Sequence, residues 1–187
     1  VRNYRDVPYV TEAFMNSSQN RNIPQSNPDS VLTVEQFKEI LTGKAVTWQQ
    51  LFPESAYDTI HVAFDNPRSS CVRFCNDSIL RGETMKTTGN VRALNSSPAV
   101  ITYVESHKDA IGIIGSNWLN NNRDTTNATY GRGVKVVTMK VKHPDYGTDI
   151  YVTPEQYYIA YGLYPFIRTI YSVCTDPRPT GTDKREV

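Results

Sequence analysis

His61-Val62-Ala63-Phe64-Asp65-Asn66-Pro67-Arg68-Ser69-Ser70-Cys71-Val72-Arg73-Phe74 is the stretch on which the reading of this chain turns. Ile60, Val62 and Phe64 alternate with His61 and Ala63 at the period of a short strand, and Asp65-Asn66-Pro67 ends it with turn chemistry. Ser69 or Ser70 is then a natural N-cap. Val72, Cys75 and Ile79 recur behind it at helical spacing, so the sequence predicts a helix to about Leu80, with Gly82 ending it. A strand that feeds a serine-bearing loop into a helix gathers backbone N–H groups, hydroxyls and the positive end of a helix dipole around one point, which suits an anion. Arg68 adds a guanidinium, the usual partner of phosphate or sulfate. The same pattern also describes a helix whose serine caps only itself and an arginine that is a solvated turn residue. The stretch alone leaves both open.

Working outward, the 187 residues suit one medium domain or two small lobes, long enough to bury a core. Twenty basic against nineteen acidic residues give a net charge of +1. No global field therefore recruits nucleic acid or an acidic membrane, and any anion must be caught by a local site. No apolar run approaches the roughly 18 to 20 residues that span a bilayer. No signal peptide is visible at Val1, and the absence of an initiating Met suggests a mature or excised piece.

Cys71, Cys75 and Cys174 are an odd number that does not spell a disulfide framework, and Cys71 and Cys75, one helical turn apart, have poor disulfide geometry. Neither a metal site nor a cofactor is expected, since no second ligand pair or histidine lies at metal spacing. His61, His107 and His143 are scattered and read as surface or satisfied histidines. An enzyme using Cys71 or a serine as nucleophile at the helix start finds no paired base at a sensible position, so no catalytic residue is assigned.

The remaining pieces alternate. Residues before Asp29 are polar, with weak apolar patches at Val7 to Val10 and Ala13 to Met15, and mostly irregular structure is expected there. Thr33 and Gln36 spell a capping box for a helix with Val34, Phe37, Ile40 and Leu41 on its apolar face and Gly43 at its end. Trp48 reads as a core anchor in a short connector. Ser97-Pro98 opens a helix that buries Val100, Ile101 and Val104. Ala110 to Gly115 suits a strand buried on both faces, 117 to 130 an exposed loop, Val134 to Val141 a strand, and Thr153-Pro154 the start of a tyrosine-rich helix to about Gly162. Tyrosines 157, 158, 161, 164 and 171 fit core and interface packing better than a ligand-stacking surface. Ile167 to Val173 reads as a last strand. Strands and helices alternating with long crossovers make an α/β domain.

The order of Leu32 to Gly43, Trp48, Val62 to Phe74, Ala110 to Gly115 and Tyr164-Pro165-Phe166-Ile167-Arg168-Thr169-Ile170-Tyr171 resembles the periplasmic phosphate-binding proteins of ABC transporters, from about Asn27 to Gly181. The resemblance implies a lobe of a type II periplasmic-binding fold over 27–174, with a mixed, mostly parallel sheet flanked by helices. The polar 1–26 segment matches the family poorly, and 175–187 is a polar tail. It implies phosphate held at Ser69, Ser70 and Cys71; Arg68 is the candidate cation beside them, and Asp65, Asn66 and Ser97 are candidate supporting residues behind them. Ser70 stands where the family pattern has Gly and Cys71 where it has Thr, and the preceding Arg and Asp of the pattern align with Asp65 and Pro67. Asp65 in such a site would accept a proton from a monoprotonated phosphate or repel the dianion.

The implied function is the solute-binding component of a phosphate transporter, with inorganic phosphate or a similar oxyanion as ligand and an ABC permease as partner. The implied place is periplasmic or otherwise extracytoplasmic, and any lipid anchor is expected on a segment outside this chain. In the family the other jaw of the anion clamp lies in a first lobe that this chain is expected to lack. The alternative is a member that has kept the fold, lost phosphate and serves in signalling or structure, or that binds another oxyanion.

Overall fold

The computed structural model describes residues 10–17, 31–86, 89–116 and 134–169. In chain order the elements are β1 (Val10–Ser17), β2 (Leu32–Thr33), α1 (Val34–Thr42), α2 (Trp48–Leu51), β3 (His61–Phe64), α3 (Ser70–Phe74), β4 (Val91–Ala93), α4 (Ser97–Ser106), β5 (Ala110–Gly115), β6 (Val134–Val136), β7 (Met139–Lys142), β8 (Asp149–Val152), α5 (Gln156–Ala160) and β9 (Ile167–Arg168). The main sheet runs β4-β3-β5-β1-β6, with β9 also on β1, and a small sheet runs β2-β7-β8.

The α/β class and the mixed sheet are as the sequence implies. β3 pairs parallel with both β4 and β5, and β2 parallel with β7. The antiparallel share is larger than expected, because β1 runs against β5, β6 and β9, and β8 against β7. β1 itself lies in the polar stretch where mostly irregular chain is expected. The run Val134 to Val141 is a correction too: it divides into β6 in the main sheet and β7 in the small one, with Val137 and Thr138 between them. Ile167 begins a strand as expected, and residues from 170 onward, like the expected loop at 117–130, lie outside the described residues.

Both faces of the main sheet are covered, which explains why β5 is buried along all six residues. Val62, Phe64, Ile111 and Ile113 pack into a large cluster with α1, Trp48 and the α3 helix. The alternate residues Ala63, Ala110 and Ile114 pack with Val100 and Val104 of α4. This is the period-2 alternation of a strand sandwiched between helices. Trp48 is the core anchor that the sequence predicts: it is fully buried, and its indole N–H donates to the Asp109 carbonyl at 2.9 Å. Its residue opens the short helix α2 rather than a plain connector. Phe166 binds distant segments together, lying edge-on to Phe37 of α1, Phe74 of α3 and Tyr164 at ring distances of 5.8, 6.2 and 5.8 Å.

The helix begun by α3 departs from the expected course in its second half. Cys75–Leu80 is a π turn that ends on Arg81 in the left-handed region (φ 48), and Gly82 follows at φ 98. At about 100° per residue an α-helix would leave Leu80 roughly 140° from Cys75. The wider turn returns it to that side, so Ile79 and the fully buried Leu80 both enter the core.

Candidate functional site

Because β3 and β4 are parallel neighbours, the helices that follow them start at the same edge of the sheet. Phe64 ends β3, and its carbonyl accepts from the Leu94 amide at 2.7 Å, which extends the pairing into both loops. The turn after β3 is held by its own side chains. The Asp65 carboxylate accepts the Asn66 amide at 3.0 Å, and the Asn66 side-chain oxygen accepts the Arg68 amide at 2.9 Å. The Ser69 amide donates back to the Asn66 carbonyl at 3.2 Å. These are the local bonds by which Asp and Asn stabilise turns.

Ser69, not Ser70, is the N-cap of α3. It is extended (φ −66, ψ 157), and its hydroxyl oxygen accepts the Val72 amide at 3.1 Å. On the neighbouring strand the cap of α4 is Ser96, one residue earlier than the sequence suggests, and its hydroxyl accepts the Ala99 amide at 3.3 Å. Pro98 therefore occupies the second helical position, where its missing N–H still costs nothing. That shift frees Ser97 from capping, and its hydroxyl donates to the other Asp65 oxygen at 3.4 Å. Ser69 and Ser97, at 7% and 4% exposure, are the buried polar residues among the described ones.

Asp65, Asn66, Ser69, Ser97 and the Arg68 amide thus form one hydrogen-bonded group across two serine-capped helix starts. The Arg68 side chain and Ser70 are exposed beside it, and Asn66 and Asp65 are half-buried. Cys71 is placed differently: its side chain is 2% exposed and belongs to the large core cluster. Its backbone stands in the first turn of the helix. The sequence marks Asn95-Ser96-Ser97 as a polar helix entrance without fixing which serine caps it, since Ser96-Ser97-Pro98 fits proline in either the first or the second helical position.

The histidines are satisfied, as expected. His61, at the far end of β3 from this turn, has Nδ1 2.8 Å from an Asp109 carboxylate oxygen. His107 stacks on Tyr103 at 3.9 Å between ring centres, and His143 accepts the Asp145 amide. The tyrosines divide. Tyr164 is in the core and Tyr158 is half-buried, whereas Tyr157 and Tyr161 are 60% and 70% exposed. Their helix starts at Gln156, and the Thr153 hydroxyl donates to the Glu155 carboxylate instead of capping it. Among the described residues no cluster of three or more His, Cys, Asp or Glu could hold a metal ion, and no helix is long and apolar enough to cross a membrane.

No curated protein matches the sequence. Among solved structures, one described as a possible phosphate binding protein from Planctomyces limnophilus superposes with a TM-score of 0.62 at 15% identity, covering 87% of this chain and 51% of its own. PstS from Borrelia burgdorferi gives 0.57 at 17% identity, covering 86% and 55%. An ABC-type phosphate transport receptor from Vibrio cholerae gives 0.53 at 21% identity, covering 85% and 55%. At these identities the likeness is one of fold, and the chain spans about half the length of each of these proteins. A family model described as a PBP superfamily domain matches residues 1–184, which takes in β1 as well as every later element. The chain belongs to the PBP superfamily.

Proposed function

We propose that this chain is a lobe of a solute-binding protein that takes inorganic phosphate, or an oxyanion like it, at the edge where α3 and α4 begin. It would present the anion outside the cytoplasm to the permease of an ABC transporter. The observation that carries the reading is the pairing of two serine-capped helix starts on adjacent parallel strands, tied together through Asp65 and Ser97. Backbone N–H groups and helix dipoles there favour negative charge locally, with no need of a large net charge on the protein. The Ser69 oxygen is used by the cap, and its proton remains for a ligand. Ser70 adds an exposed hydroxyl, and Arg68 supplies the cation.

Asp65 sets the chemistry of the ligand. A carboxylate at the edge of an anion site is repelled by a fully ionised oxyanion and accepts a hydrogen bond from one that carries a proton. Monohydrogen phosphate is such an anion, and sulfate at neutral pH is not. A second reading, a lobe that has kept the fold and lost the anion, draws on Cys71, whose thiol is committed to the core. Calorimetric titration of the full-length protein with phosphate, sulfate and molybdate decides between them. Phosphate binding that is weakened at least tenfold by Ser69→Ala with Ser70→Ala is the expected result. Heat from none of the three anions would leave the second reading.

A further inference from the structure

No further inference is drawn: the strongest candidate, the exposed tyrosine patch formed by Tyr157 of α5 and Tyr161 just past its end, is an unpartnered surface, and nothing in the structure shows what covers it.

Discussion

Ser69 serves two purposes that one hydroxyl can share, accepting the Val72 amide while keeping a proton to donate. Ser70, one residue on, is exposed and caps nothing. The two alanine variants should therefore separate. Ser69→Ala removes the cap and costs about 1 kcal/mol of folding stability, whereas Ser70→Ala stays within about 0.5 kcal/mol. If the proposed site is right, both should weaken phosphate binding. Urea unfolding beside calorimetry reads the two effects independently, and equal stability losses in the two variants would mean that Ser69 is not the working cap. Asp65 makes a sharper test. Asp65→Asn keeps an oxygen for the Asn66 amide and removes the negative charge, so sulfate affinity should rise relative to phosphate by roughly tenfold, about 1.4 kcal/mol. A phosphate-to-sulfate ratio that the substitution leaves unchanged takes Asp65 out of the site.

Elements differ in how plainly their residues declare them. α1 is legible because its signals are local: the Thr33–Gln36 capping box forms in both directions, at 3.1 and 2.9 Å, and Gly43 ends the helix at φ 71. β5 is legible because six apolar or glycine residues in a row leave few other uses. β1 is not, because Val-Thr-Glu-Ala-Phe-Met-Asn-Ser has no clean alternation and polar chain surrounds it, and its place in the sheet is set by partners more than 90 residues away. The π turn is equally silent, since the spacing of Cys71, Cys75 and Ile79 is that of an ordinary helix and only the burial of Leu80 requires the extra residue. In the site, the capping of α3 is readable from Ser69 and Ser70. The bond from Ser97 to Asp65 is not, since it depends on β3 and β4 being neighbours. Two element-level variants follow from these placements. Leu80→Ala should cost about 2–5 kcal/mol, as a fully buried leucine does. Gly43→Ala should cost about 1 kcal/mol or more, because a side chain there is strained at positive φ and its Cβ would lie 2.4 Å from the Lys86 Cδ. Chemical denaturation measures both, and a neutral Leu80→Ala would show that the π turn does not hold that residue in the core.

At the scale of the whole molecule, a net charge of +1 leaves electrostatics to local pairs, and two carboxylates each meet two lysines. Glu83, just past the π turn, meets Lys38 of α1 at 2.6 Å and Lys44 at 3.4 Å. Asp149 of β8 meets Lys142 and Lys140 of β7 at 2.7 and 3.1 Å. The lysine hydrogen bonds hold both carboxyls below their ordinary values of 4.5 and 3.8, that of Lys38 acting most strongly on Glu83 and that of Lys142 on Asp149. A carboxyl whose pKa is lower in the folded than in the unfolded chain stabilises the fold above its unfolded value, and the contribution disappears as pH falls through the folded value. From pH 7 to about 5 these pairs should therefore leave the thermal midpoint unchanged. Below about 4.5 the midpoint should fall, first through Glu83 and then through Asp149. The pairs are exposed, so each effect is small and screened, and about 1 M NaCl, with a Debye length of roughly 3 Å, should flatten the acid slope. Glu83→Gln combined with Asp149→Asn isolates their share. The double variant should lose part of the acid slope and the matching part of its salt dependence. An acid slope identical to that of the parent protein would assign acid sensitivity to other carboxylates and leave the ion pairs of Glu83 and Asp149 as contacts without measurable effect on stability.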